Sequence, residues 1–215
     1  MLASQDQVAA LVDLFHRGTR LTYKKGEQII RPGESPSGVF YIEKGLVKAF
    51  NISKYGEENM LVIRKELDMF PLIWAITGEE RDINYEAIAP LTVWRISRDK
   101  FMEYIGDKTH ALAPLLDEVI DNYKLHSERI LNLEYRSVRE RVISFLLTMS
   151  KRFGRETPDG LLIDVPLRHQ DIASSINASR ETASREMAYL ERHSLIANKQ
   201  SLVVLKDIEK LKSFL

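Results

Sequence analysis

The chain is predicted to fold as an α+β protein in three parts: an antiparallel β-roll, one long helix, and a module of helix, turn, helix and a two-stranded wing. Three observations carry this. Between about Leu21 and Ile96, short runs rich in Val, Ile, Tyr and Phe are broken at regular intervals by turn residues, the pattern of an antiparallel sandwich or roll rather than of βαβ units. From about Thr109 to Glu134 the chain has no glycine and a single proline, Pro114, near the start where a helix tolerates it. Residues 168–191 then hold two short segments with helical apolar spacing around Asn177-Ala178, and SLIANKQSLVVLK follows as a strand pair. The domains are accordingly drawn at 1–108 for the roll, 109–136 for the long helix and a hinge, and 137–215 for the last module.

Residues 4–17 put Val8, Leu11, Val12 and Phe15 at i, i+3, i+4 and i+7, one face of a short helix capped by Ser4 or Asp6 and ended by Gly18. The strands follow as LTYKKGEQII, VFYIEKGLVKAFNI, MLVIRKEL, NYEAIA and LTVWRI. Gly26, Gly33, Gly38, Gly45, Gly56 and Gly78 fall at or near the breaks, where positive φ is expected. Residues 99–106 read as a short helix. On the long helix, Leu116, Val119, Tyr123, His126, Ile130 and Leu133 alternate at spacings of three and four, a seam of nearly three heptads. Such a seam needs a partner, either the chain's own β-domain or a second copy in a parallel homodimer, and its length and spacing favour the second. His126 is read as a half-buried imidazole of that seam. Residues 138–153 form an amphipathic helix, RETPDG a turn and LLIDVP a strand. Helices at about 168–176 and 179–191 and a strand pair around Asn198-Lys199-Gln200 complete the outline of a winged helix-turn-helix.

Composition narrows the function. With no cysteine, the chain has no disulfide, thiolate metal site or cysteine-held iron–sulfur cluster. Hydrophobic residues at 44% and charged residues at 29% describe an ordinary globular chain with enough apolar side chains for a core. The longest apolar run, Phe70 to Ile76, is too short to cross a bilayer, and no basic stretch followed by an apolar one opens the chain. A cytoplasmic protein is expected. No G-x-S-x-G, H-E-x-x-H or G-x-x-x-x-G-K motif is present, and His169, Asp171 and Ser174, close on one short helix, serve packing and solvent better than a triad. The chain is therefore not expected to be an enzyme. Its zero net charge hides an asymmetry: residues 136–215 carry 14 Lys/Arg against 10 Asp/Glu, and the preceding residues 17 against 21. The sign suits a C-terminal module that meets an anion.

The segment RHQDIASSINASRETASREMAYLERH concentrates the chemistry. Ile172, Ala173 and Ile176 bury the first helix, and Ala183, Met187 and Leu190 the second, which leaves Arg180, Glu181, Ser184 and Arg185 together on the opposite side. Arginine grips guanine O6 and N7 with two hydrogen bonds, glutamate accepts from cytosine N4, and serine takes either role. Ser179 caps the helix whose start would enter the major groove. Arg168, Gln170, Ser179 and Thr182 are then the candidates for phosphate contacts, which fix register and carry the salt dependence. Ion pairing of Arg180, Glu181 and Arg185 on a solvated helix is the competing account. The cap, the preceding helix and the wing favour recognition of double-stranded DNA.

The order of modules, Gly33-Glu34 followed by Phe40-Tyr41-Ile42-x-x-Gly45-x-Val47, the long helix and SRETASRE together resemble the CRP/FNR superfamily of bacterial transcription regulators. The likeness covers nearly the whole chain and is most specific at Arg180-Glu181-x-x-x-Arg185. It implies a cyclic-nucleotide-binding-like jelly roll, a homodimer on an inverted repeat related to TGTGA, and side chains at these positions that read a central G and A. Ser184 stands where the FNR branch has serine and the cyclic-AMP receptor branch glycine. Pro158-Asp159-Gly160, with neighbours from Arg152, falls where family activators touch RNA polymerase, and a plain surface turn explains it equally well.

The family's sensor chemistry transfers poorly. Cyclic-nucleotide binders of the family use a Gly-Glu pair opening a short helix and an Arg-Ser or Arg-Thr pair further on; here these become Pro71-Leu72 and Arg81-Asp82. Leu72 cannot accept from a ribose hydroxyl, Pro71 removes a donor, and Asp82 sets a negative charge beside a phosphate. Cyclic AMP is not expected to bind in the usual way. Nor is haem, since His16, His110, His126, His169 and His193 form no ligand cluster within the roll. The roll is left with Phe70, Trp74, Tyr85 and Trp94, either plain core or the lining of an effector cavity, with Arg81 as its cation. A ligand-binding or scaffold module without sequence-specific DNA binding is the alternative reading, and it has no use for an exposed Arg180, Glu181 and Arg185.

Overall fold

The computed structural model describes residues 2–107 and 111–215 and forms two compact units that divide between Lys124 and Leu125. The boundary drawn at 108/109 from the sequence, and His110, lie outside the described residues.

The first unit opens with α1 (Gln5–His16). Ser4 is the cap: its Oγ accepts from the Gln7 N–H while the Gln7 side chain accepts from the Ser4 N–H, so two otherwise orphaned donors are satisfied. Then come β1 (Thr19–Tyr23), β2 (Gln28–Ile30), β3 (Val39–Lys44), β4 (Val47–Ile52), β5 (Glu58–Arg64), β6 (Met69–Phe70), α2 (Leu72–Thr77), β7 (Asn84–Ala87), β8 (Leu91–Ile96), α3 (Arg98–Asp107) and α4 (Leu112–Tyr135). The strands build two antiparallel sheets, β1-β8-β3-β6 and β2-β7-β4-β5. The two-residue period of a strand assigns the side chains to two layers. Phe40, Ile42, Val47, Ala49, Val62, Tyr85, Leu91 and Val93, drawn from both sheets, form one core. Val39, Tyr41 and Ile96, offset by one residue, meet Leu11, Phe15, Leu72, Phe101 and Leu115 from the helices in a second. At Gly45, with φ 105°, a Cβ would run into the Pro90 carbonyl oxygen, so the tight link between β3 and β4 requires glycine. The other five glycines expected at positive φ also have it.

The second unit begins within α4 and continues with α5 (Val138–Phe153), β9 (Gly154–Thr157), β10 (Gly160–Ile163), α6 (His169–Ile176), α7 (Arg180–Arg192), β11 (Ile196–Lys199), β12 (Leu202–Leu205) and α8 (Ile208–Lys212). Its strands form one antiparallel sheet, β11-β12-β10-β9. RETPDG is thus no simple turn. Residues 155–157 lie in an edge strand whose polar side chains face water and carry no apolar alternation, and only Pro158-Asp159 turns. The wing turn is likewise displaced from Asn198-Lys199-Gln200 to Gln200-Ser201, both at positive φ, as a two-residue hairpin requires. The hinge expected near Tyr135 to Ser137 is a hydrogen-bonded corner: Asn132 Nδ2 donates to Ser144 Oγ at 2.9 Å, Arg136 Nη1 to Asn132 Oδ1 at 2.5 Å, and Ser137 and Glu140 cap α5 reciprocally. Among the described residues no helix is long and apolar enough to cross a membrane.

Candidate nucleic-acid interface

The apolar halves of α6 and α7 fix how they are held. Ile172, Ala173, Ala183 and Leu190 have no exposed surface, Met187 retains 1% and Ile176 4%. Asn177 ends α6 in the left-handed conformation, φ 52°, which a short polar side chain tolerates, and the Ala178 N–H returns to the Ala173 carbonyl. The remaining carbonyls at that end do not reach water alone. Arg141 Nη1 donates to Ile176 O at 2.8 Å and to Asn177 O at 3.4 Å, and Arg129 Nη2 to Ser174 O at 3.3 Å. Burial pushes the Arg129 pKa down from its ordinary value. On α7, Glu186 takes a 2.7 Å hydrogen bond from Arg139 Nε, whose guanidinium lies 3.6 Å over the Tyr189 ring. Three anchors and a shared core therefore set the outer face of α7.

That face carries the residues proposed to read bases, in two environments. Arg180 and Glu181 project into solvent, their side chains 67% and 72% exposed and 3.7 Å apart as an ion pair. The backbone N–H of Glu181, with Arg180 adding to it, holds the Glu181 carboxyl below the usual carboxylate range. Arg185 is exposed and donates from Nη2 to Thr182 Oγ1 at 3.2 Å. Ser184 is half-buried, its Oγ 2.6 Å from His169 Nδ1 on α6. Sequence reasoning left His169 out of the interface. Its only signal is its place between Arg168 and Gln170 in the first turn of α6.

The proposed phosphate contacts are also engaged within the module. Ser179 caps α7 through the Thr182 N–H at 3.1 Å, and the two hydroxyls lie 3.0 Å apart. Arg168 pairs with Asp171 at 3.1 Å but keeps 65% of its side chain exposed, and Gln170 is exposed. At the far edge, Lys199 at the tip of β11 is ion-paired with Asp159 of the β9–β10 turn, which lowers the Asp159 pKa.

The candidate effector residues Tyr85, Trp74, Trp94 and Arg81 are divided between two layers of the first unit and its surface. Tyr85 belongs to the core of the first unit, in a ring stack with Phe70 and Phe40 at 5.1 Å centroid spacings, and burial pushes its phenol up. Trp74 and Trp94 pack on the other layer, because residue 94 sits one step out of phase with Leu91 and Val93. Trp94 Nε1 donates to Glu43 at 2.9 Å and its ring packs on His16. Arg81 is exposed. The sequence singled out neither member of the buried pair in this unit: Arg64 Nη1 lies 2.7 Å from Glu118 Oε1 of α4. On α4 itself the seam faces outward, with Leu116, Val119, Tyr123, Ile130 and Leu133 exposed by 48, 43, 72, 62 and 37% and His126 exposed beside them.

Comparison with known proteins agrees with both halves of this architecture. Residues 20–108 match the cyclic nucleotide-binding domain model and residues 140–214 the Crp-like helix-turn-helix domain model. The global nitrogen regulator of Synechococcus elongatus is 29% identical over 196 residues, covering 89% of this chain and 88% of that protein. The CRP-like cAMP-activated global transcriptional regulator of Mycobacterium tuberculosis is 25% identical over 189 residues, covering 88% and 84%. Among solved structures, FixK2 from Bradyrhizobium japonicum superposes with a TM-score of 0.79 at 21% identity, covering 91% of this chain and 96% of that one. A CooA mutant from Carboxydothermus hydrogenoformans gives 0.78 at 21% identity, covering 94% and 89%. The fold and these relatives together define a DNA-binding transcription regulator. The chain belongs to the CRP/FNR superfamily.

Proposed function

We propose that this regulator binds an inverted-repeat operator as a homodimer, reading each half-site with Arg180, Glu181, Ser184 and Arg185 of α7. The observation that carries the reading is the division of α7: its inner residues are locked into the module while Arg180, Glu181 and Arg185 stand in solvent, engaged only by one another or by Thr182 of the same helix. Arg168, Gln170, Ser179 and Thr182 set the register against phosphates. The exposed apolar seam of α4 pairs with that of a second copy, which places two recognition helices about one DNA turn apart. The protein acts in the cytoplasm, has no catalytic role, and offers the Pro158-Asp159-Gly160 turn to RNA polymerase.

Cyclic AMP is not its effector in the usual way, and neither haem nor an iron–sulfur cluster takes part. Support comes from the residues themselves: Pro71 has no N–H to donate, the Leu72 side chain is buried in the helix-covered layer, and the chain has no cysteine. A calorimetric titration yielding micromolar affinity for cyclic AMP overturns that part. The main reading is tested by fluorescence anisotropy at fixed salt with a TGTGA-type inverted repeat against a scrambled duplex. Selective binding without additive supports a constitutively competent dimer. Selectivity that depends on an added anion instead directs attention to Arg81, and equal affinity for every duplex refutes sequence-specific recognition.

A further inference from the structure

We propose that His169 selects the hydrogen-bonding role that Ser184 offers to a base edge. The inference rests on the recognition-helix reading above and narrows it to one side chain. Ser184 sits among Arg180, Glu181 and Arg185, yet its hydroxyl is already committed, 2.6 Å from His169 Nδ1. A hydroxyl has one proton to give. When Nδ1 is bare, the Ser184 O–H donates to the ring and only oxygen lone pairs face outward, which suits the amino group of cytosine or adenine. When Nδ1 carries a proton, the ring donates to Oγ and the hydroxyl proton is released, which suits O6 or N7 of guanine or O4 of thymine.

The state of Nδ1 follows from the partner of Nε2 and from pH. Among the described residues Nε2 has no hydrogen-bond partner, and His169 stands in sequence between Arg168, at the cap of α6, and Gln170, both assigned to phosphate. A phosphate oxygen accepting from Nε2–H leaves the neutral ring with Nδ1 bare, so Ser184 is an acceptor; protonation of the ring makes it a donor. The charged groups on the elements packed here include Arg168 at the cap of α6 and Asp171 within it, Arg180, Glu181, Arg185, Glu186, Glu191 and Arg192 of α7, Arg139, Glu140, Arg141, Lys151 and Arg152 of α5, and Arg129 of α4. Arg168 pairs with Asp171 and Arg139 with Glu186, while Arg129 and Arg141 donate to carbonyls of residues 174, 176 and 177.

The test selects from a library of inverted-repeat duplexes randomised at each half-site position, at low salt, with the full-length protein at pH 6 and pH 8. Wild type, Ser184→Ala, His169→Phe, the double variant and Arg185→Ala are compared, with thermal melts to establish that each folds. The expected result is that the position losing discrimination in Ser184→Ala changes its preferred base between the two pH values in wild type. The effect is about five-fold, the size of one neutral hydrogen bond. His169→Phe removes that pH dependence, and the double variant behaves as Ser184→Ala. If His169→Phe weakens all duplexes alike and leaves the wild-type preferences and their pH dependence intact, His169 only supports the helix and the proposal fails. If Arg185→Ala flattens the selection while Ser184→Ala does not, recognition by α7 stands and the role of Ser184 falls. If neither variant alters the selection, the recognition-helix reading itself falls.

Discussion

Replacing Glu118 by Leu should destabilise the first unit more than any exposed substitution on it. Arg64 of β5 and Glu118 of α4 pair at 2.7 Å with side chains only 11% and 12% exposed, and Arg64 Nε has no hydrogen-bond partner. Removing the carboxylate leaves a guanidinium buried without its counter-charge, which costs about 3–5 kcal/mol. Native stabilities are of order 5–15 kcal/mol, so this is a fifth of the total or more. Removing both charges has the opposite sign: Arg64→Met with Glu118→Leu should be close to wild type or above it, because the desolvation of both ions disappears with their attraction. The assay is urea unfolding followed by tryptophan fluorescence. The chain's two tryptophans, Trp74 and Trp94, both pack on the helix-covered layer of this unit, so the signal follows it alone even where the whole chain does not unfold in one step. With a slope of about 2 kcal/mol per molar urea, the single variant should lower the midpoint by about 2 M. A single-variant shift below about 0.5 M, or a double variant as unstable as the single one, refutes the reasoning.

Arg185→Ala should lose about 1–3 kcal/mol on the preferred duplex and relax discrimination at one base pair, whereas Arg168→Ala should weaken all duplexes alike and reduce the salt slope by about one, as anisotropy across a salt series will measure. Met187→Ala empties a site on α7 with 1% exposure and should destabilise the second unit by about 2–5 kcal/mol, followed by far-UV circular dichroism since no tryptophan lies there. Tyr123→Glu on the exposed seam of α4 should shift sedimentation toward the monomer without changing the melting of either unit. The Arg20 hydrogen bond holds the Glu43 carboxyl below its usual range, with the Trp94 indole N–H adding to it. A lowered folded-state pKa means that this stabilisation is present at neutral pH and is lost as pH falls through the lowered value. Trp94 fluorescence should therefore change on acidification, and Glu43→Gln should remove that change.

Element type was legible wherever periodicity is strong. The α1 stripe, the α4 seam, the amphipathic α5 and the two short helices each repeat at three and four residues, and the structure places α1, α5 and the two short helices within a residue of expectation. Failures fell where the local signal is weak. β9 is a polar edge strand that forms because β10 offers a ladder, and the wing turn lacks the Asn-Gly or Asp-Gly pair that marks such hairpins. α8 places Leu211 in the core with Asp207 as cap, but five residues are too few for a periodic pattern to stand out.

For the site, the face of a helix is a one-dimensional property and its partners are not. The spacing of Ala183, Met187 and Leu190 sufficed to point Arg180, Glu181 and Arg185 outward, since burying one stripe exposes the other. The same reasoning treated Ser184 as equivalent to them, because nothing at i±3 or i±4 records that His169, fifteen residues away on another helix, would meet its hydroxyl. The aromatic residues of the roll, read as core or as an effector lining, divide between layers for a related reason. Trp94 and Tyr85 share a composition signal but not a strand phase, and phase decides which layer a side chain enters. Arg64 and Glu118 stood as two ordinary charges in a neutral chain until tertiary structure brought a strand and a helix together around them. Which face of α7 stands in solvent is therefore legible in the sequence, while pairs such as Ser184–His169 and Arg64–Glu118 come together only on folding.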